Sequence, residues 1–167
     1  MKLFSANIED LQGLYVLHLK MALDMERRIT RALPELIERS TDPELAEAFN
    51  THLEETKDHV TKVESLLRSI VGEADTETCK VMDGLTTSAS DLITDVKDTS
   101  VRDIALIGAA QQVEHHEIAV YGTLRRWAEL LGLEQDAEIL ESIEDEEVNA
   151  DEILTDIAER VNLVAAA

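Results

Sequence analysis

Apolar residues recur at steps of three and four along four long stretches of this chain, the spacing that places them on one face of an α-helix. The first stretch, residues 8–39, reads Ile8, Leu11, Tyr15, Leu19, Ala22, Glu26, Ile29 and Leu33 along its inward stripe. Asn7 is its expected cap. Pro34 is expected to kink or end the helix near Leu33, because proline lacks the amide proton that a helix interior uses. The second stretch opens at Thr41-Asp42-Pro43-Glu44, with Asp42 as N-cap, Pro43 in the first helical position and Thr41 and Glu44 at capping-box spacing. Its stripe is Leu45, Phe49, His52, Thr56, His59, Val63, Leu66 and Ile70, and Gly72 is the stop signal.

Residues 73–99 form a long connection. Within it, Cys79, Met82, Leu85, Ala89, Leu92 and Val96 make an amphipathic pattern that predicts one additional short helix. Ser100 with Asp103 resembles another capping box, and the third long helix then runs to Leu131 through Ile104, Ile107, Gln111, Glu114, Ile118 and Tyr121, closed by Gly132. The fourth runs from about Gln135 to Asn162 through Leu140, Ile143, Glu147, Ala150, Leu154, Ile157 and Val161. Two hairpins with short loops joined by one long crossover is the connectivity of ferritin-like bundles. The expected fold is therefore all-α: a ferritin-like four-helix bundle with a long crossover containing an additional short helix, in one domain over residues 1–167.

Glu26, His52, His59, Glu114 and Glu147 stand on apolar stripes, where an unpaired charge is costly and needs a partner. Residues equidistant from a hairpin loop share a level, since each helix rises about 1.5 Å per residue. Glu26 lies 15 residues before Thr41 and Glu55 14 after it, while Glu117 lies 15 before Gly132 and Glu147 15 after it. One turn away, His59 is 18 after Thr41, Glu114 is 18 before Gly132 and Asp151 is 19 after it.

Glu26, Glu55, His59, Glu114, Glu117, Glu147 and Asp151 are thus the candidate metal ligands, with Glu55 and Glu147 central enough to bridge. Two such layers suit two metals about 3.5–4 Å apart, and mixed carboxylate and imidazole donors suit iron or manganese. Leu23 fills the remaining corner without ligating, so solvent or an oxidant is expected to enter there. Glutamate is abundant, and Glu54-Glu55 and Glu144-Asp145-Glu146-Glu147 also read as solvated faces. His52 is expected to hydrogen-bond a ligand rather than ligate. His115 is expected as a core histidine or a ligand's partner, and His116 at solvent or an interface. Tyr121 either orients a carboxylate, intercepts an oxidant, or packs with its hydroxyl satisfied.

The formal charge of −21 disfavours nucleic acid and anionic membranes as partners. Solubility, a high-salt habitat and metal binding all call for carboxylates, but 36 acidic residues exceed what one site uses. The single Cys79 excludes an intramolecular disulfide and suits a reducing compartment, either as a packed apolar group or as a redox thiol. Met1-Lys2-Leu3-Phe4 turns polar too soon for a signal peptide, and Ile104 to Ala110 is too short to span a bilayer. A cytoplasmic location is expected.

Three segments carry a resemblance. They are Asp24-Met25-Glu26-Arg27-Arg28-Ile29 with Arg31-Ala32-Leu33-Pro34, His52-Leu53-Glu54-Glu55-Thr56 with His59-Val60, and Val113-Glu114-His115 with Glu117-Ile118-Ala119-Val120-Tyr121-Gly122-Thr123-Leu124. Together they resemble the YciE/YciF family of ferritin-like proteins over nearly the whole chain. The resemblance implies a homodimer, a centre of two iron ions and a loosely defined role in bacterial stress response, with no settled reaction. Manganese or a mixed pair is the alternative cofactor. Glu55 and His59 are four apart, where ferritins and rubrerythrins place their histidine three after the glutamate. Glu114 and Glu117 are similar to the paired glutamates of rubrerythrin's third helix, and rubredoxin's four cysteines are absent.

Two functional expectations compete. In the first, a di-iron or di-manganese protein reacts with dioxygen or peroxide, oxidising Fe(II) or removing peroxide. In the second, a non-catalytic helical stress or interaction protein carries a structural or vestigial metal. A storage cage is a third, for which no sequence feature specifies a shell.

Overall fold

The computed structural model describes residues 8–165. These residues form five helices and no strand: α1 (Leu11–Arg39), α2 (Pro43–Val71), α3 (Lys80–Asp95), α4 (Thr99–Leu130) and α5 (Glu134–Ala165). The expected cap Asn7 lies outside the described residues. Helix α1 instead starts after Asp10, whose carboxylate accepts a 2.7 Å hydrogen bond from the Gly13 amide.

Pro34 does not end α1. It sits on the exposed side, while Ile29, Leu33 and Leu36 are buried on the other. Burial of that face outweighs the local cost of about 3 kcal/mol for an interior proline.

Helix α2 begins as the residues predict, with Asp42 accepting from the Glu44 and Leu45 amides and Pro43 in the first turn. Gly72 ends it at φ 80°, a left-handed conformation that glycine adopts without steric cost. Neither expected capping box forms. Asp98, not Ser100, caps α4. Asp103 is instead buried and accepts from Thr41 N at 2.9 Å, Thr41 Oγ1 at 2.5 Å and Asp42 N at 3.0 Å. A carboxylate that reads as a local cap thus pins the start of α4 to the α1–α2 turn, 62 residues away in sequence.

The four long helices pack in a closed ring, α1 against α2 and α4, and α5 against α2 and α4. The short turn at residues 40–42 makes α1 and α2 antiparallel, and cross-helix pairs fix the other three ring neighbours as antiparallel: Arg125–Glu144 with Gln111–Thr155, His59–Glu146 with Arg160–Asp42, and Tyr121–Glu26 with Arg102–Arg39. The α1–α2 and α4–α5 turns therefore lie at opposite ends of the ring, and the crossover runs its length. Helix α3 lies against α1 and α4, burying Met82, Ala89 and Ile93, with Cys79 just before it. The predicted register of α3 slips by one position at its end, where Ile93 rather than Leu92 turns inward.

Along α4 the buried stripe is Asp103, Ile107, Ala110, Glu114, Glu117, Tyr121, Leu124 and Ala128. Gln111 and Ile118, expected on that stripe, are half-buried at its edges. Among the described residues, no helix is long and apolar enough to cross a membrane.

Candidate metal centre

Six ligand-bearing side chains are buried together at mid-height: Glu26 from α1, His52 and His59 from α2, Glu114 and Glu117 from α4, and Glu147 from α5. They fall into two groups whose ligand atoms lie within 4.8 Å of one another, Glu26–His59–Glu147 and His52–Glu114–Glu117–Glu147. Glu147 belongs to both.

His59 Nδ1 lies 2.9 Å from Glu147 Oε1 and 3.9 Å from Glu26 Oε2. Its other nitrogen, Nε2, is 2.6 Å from Glu146 Oε2, and Lys62 Nζ lies 3.2 Å from Glu146 Oε1. A proton on Nε2 donated to Glu146 leaves the Nδ1 lone pair facing Glu26 and Glu147, the way an outer carboxylate orients a ligating imidazole. In the second group, His52 Nε2 stands 3.5 Å from Glu114 Oε1, and His52 Nδ1 stands 3.9 Å from Glu147 Oε2.

The groups differ from the two layers counted from the loops. Because the turns lie at opposite ends, counting away from them runs in opposite directions along the ring. His59 and Glu114, 18 residues from their respective turns, therefore do not share a level. His52 meets Glu114, while His59 meets Glu26 and lies beside Tyr121, ring centroids 6.4 Å apart. Helical side chains also tilt toward their own N-terminus, which brings His59 back to the level of Glu26.

The structure thus brings together Glu26, His59, Glu114, Glu117 and Glu147, and it adds His52. Glu55 and Asp151 lie outside both groups. Glu55 is one-third exposed, with Oε2 3.7 Å from His52 Nδ1, so it is not central between the groups in this arrangement. Asp151 faces Gln111 Nε2 at 3.3 Å and His115 Nδ1 at 3.3 Å. His115 is 68% exposed and is a surface residue rather than a core one, because it falls one position past the buried stripe. His116 is half-buried, its Nε2 3.6 Å from Cys79 Sγ. Tyr121 is fully buried, and its hydroxyl donates to Glu26 Oε1. Leu23 is fully buried in the core, so the corner expected to admit solvent is closed.

Burial drives the electrostatics. Desolvation pushes Glu26 up to about 7 and Glu114 up to about 8, against the favourable charges of His59 and His52 respectively. Glu117 is carried well above the carboxylate range by burial and by Glu147, Glu26 and Glu114. Burial alone would lower both histidines, but Glu114, Glu55 and Glu147 carry His52 up to about 10, and Glu147, Glu26 and Glu146 carry His59 up to about 9. Among the described residues, the buried side-chain atoms without a hydrogen-bond partner all belong to these six residues, including both oxygens of Glu117 and of Glu147 and both nitrogens of His52. The close approach of His59 to Glu147 is among them, a charge contact without hydrogen-bond geometry. These orphaned donor atoms form two groups that could hold a metal ion, with Glu147 common to both.

Residues 10–167 match the family described as Domain of unknown function (DUF892). The chain belongs to this family. It is 36% identical over 153 residues to protein YciF of Escherichia coli (strain K12), covering 91% of this chain and 92% of that protein. The crystal structure of the E. coli stress protein YciF superposes with a TM-score of 0.88 at 35% identity, covering 92% of this chain and 98% of that one. YcfI of Rhodopseudomonas palustris, provisionally described as a structural protein, gives the same TM-score at 34% identity, over 91% of this chain and 97% of that one. A Xanthomonas campestris pv. campestris protein at 22% identity and TM-score 0.76, over 94% of this chain and 96% of that one, shares the fold.

For this family member, sequence reasoning missed one residue near the cluster, Glu146, and gave His52 an outer hydrogen-bonding place, whereas its ring nitrogens stand among the grouped ligand atoms. Glu146 is hidden by its acidic neighbours, and only the packing of α2 against α5 singles it out.

Proposed function

We propose that this chain is a ferritin-like protein of one domain whose buried carboxylate and histidine cluster holds two transition-metal ions, iron first and manganese second. The observation that carries this reading is the set of orphaned ligand atoms around Glu147. Four glutamates and two imidazoles supply donors of the type these metals take, and the negative charges offset a pair of divalent cations. Glu26 and His59 would hold one ion, and His52, Glu114 and Glu117 the other, with Glu147 reaching both.

Two such ions would supply one-electron chemistry and Lewis acidity toward dioxygen or peroxide, in a stress-response or iron-handling role. The chain's own residues do the rest. Glu146 fixes the imidazole of His59, and Tyr121 holds Glu26 by its hydroxyl. The raised carboxyls and imidazoles must release protons as cations bind, so uptake is pH-dependent. Glu55, beside His52 at the surface, and Asp151 are proposed as carboxylates that swing toward the metals in the loaded protein.

Anaerobic titration with Fe(II) followed by elemental analysis tests this. Two equivalents are expected in the parent and fewer than one in Glu147→Ala. A folded parent that takes up neither iron nor manganese would sink the proposal. A non-catalytic structural role is favoured by the closed environment of His59 and agrees with the description of YcfI. It predicts metal-dependent stability without oxidation of bound Fe(II) by dioxygen or peroxide. The homodimer rests on the family resemblance and the cytoplasmic location on the single Cys79, which suits a reducing compartment; light scattering of the purified protein tests the former.

A further inference from the structure

His52 and Glu114 are reached from two sides. Between α2 and α5 a cleft of about 380 Å³ ends on them, with Glu44, Glu47 and Glu55 along it. A second, smaller cavity of about 60 Å³ lies between α1, α3 and α4. Leu33 and Leu36 of α1, Ala89 and Ile93 of α3, and Ala109 and Val113 of α4 line it, and its inner end is again His52 and Glu114. Exposed Glu35 and Ser90 place the outer rim at the surface. The crossover helix α3 is therefore the outer wall of a pouch, and small residues on α3 and α4 leave its space open.

We propose that this pouch is a binding site for a small uncharged apolar molecule of dioxygen's size, and that it leads such a molecule to the His52 and Glu114 side of the centre. A hydrated ion passing the rim would shed its water with only Thr86, whose hydroxyl already donates to Met82 O, before His52, a cost that a neutral diatomic does not meet. Water itself is a poor occupant, since an ordered water needs two to four polar partners, and inside its rim the pouch offers the two at its end and Thr86, whose hydroxyl already donates to Met82 O. Apolar cavities of this kind stay dry and take up apolar gases. The α2–α5 cleft differs in charge rather than in apolar lining: Glu44, Glu47 and Glu55 add carboxylates to walls that include Phe49, Ile153 and Leu154, and they favour cations. The destination of the pouch rests on the proposed metal site, whereas its occupancy does not.

Xenon is the direct probe. Metal-free crystals of the parent under xenon pressure are expected to show xenon between Ile93 and Ala109, and Ala109→Leu or Ala89→Leu, which fill the pouch from different helices, to lose it. Absence of xenon from the parent pouch would overturn the proposal. In iron-loaded protein the filling variants are expected to slow oxidation by dioxygen about tenfold, or about 1.4 kcal/mol in barrier, while oxidation by hydrogen peroxide stays within about twofold. Equal slowing of both oxidants, or of neither, would overturn the assignment to an apolar molecule. A protein that binds xenon in the pouch but takes up no metal would refute the proposed function and leave the gas site standing.

Discussion

The two histidines of α2 sit seven residues apart on one face, yet their surroundings are opposite. His59 is fully buried and held by Glu146, itself paired with Lys62, and it lies beside Tyr121, whose hydroxyl is committed to Glu26. His52 makes no hydrogen bond at either nitrogen, and cavities approach it from two sides. One half of the cluster is pre-organised and closed; the other is unpartnered and reachable. A side chain locked by an outer hydrogen bond has little to reorganise when a cation arrives, whereas an unpartnered one is free to rearrange around an incoming ligand. In the proposed metal centre the His59 half would be the anchoring side and the His52 half the side open to exchange.

Replacing each histidine in turn should separate them most strongly. His59→Ala is expected to lose its hydrogen bond to a charged partner and to destabilise the metal-free protein by roughly 1.5–3 kcal/mol. His52→Ala loses charge contacts at 3.5 and 3.9 Å but no hydrogen bond, and should cost less than His59→Ala while still weakening metal uptake. Denaturant unfolding measures the first difference and metal titration the second. Equal destabilisation by both would erase the distinction between the halves.

The pH response is the next largest effect. Glu26, Glu114, Glu117, His52 and His59 all hold protons more tightly folded than unfolded. The metal-free folded state therefore binds more protons, and the stability they contribute, fully present below the ordinary values of 4.5 for Glu and 6.5 for His, is lost as pH rises through the folded values, which run from about 7 to about 10 for the four groups with values above. Glu117→Gln removes one of these protons from the balance and should flatten the fall, seen as a smaller drop in Tm between neutral and alkaline pH. An unchanged slope would mean that Glu117 titrates normally in the folded protein. Metal-saturated protein should reverse the trend, because cations replace the protons; at a free concentration of 100 times Kd the gain is about 2.7 kcal/mol.

The smallest effect sharpens the comparison from outside. Molar salt screens the surface part of the −21 charge but reaches buried pairs weakly. Tm should rise by the same amount in the parent and in Glu117→Gln. A rise confined to one of them would place salt-sensitive repulsion inside the cluster.

The three- and four-residue periodicity determined the helices, because helix geometry converts spacing directly into a face; Asp42 with Pro43, Gly72 and Gly132 marked ends through local backbone chemistry. Charged residues on those faces also exposed Glu26, His59, Glu114 and Glu147, since a buried carboxylate stands out against an apolar stripe wherever the partner lies. Tertiary structure alone decided which of them meet. Thr41 and Asp103 join across 62 residues, Pro34 is carried inside α1 by packing on its far side, and the turns fall at opposite ends of the ring. That last fact re-pairs the ligands, bringing His52 to Glu114 and leaving Glu55 at the rim. A helix stripe specifies direction around one axis, but the level at which two axes meet depends on how whole helices run past one another, and no local pattern encodes it.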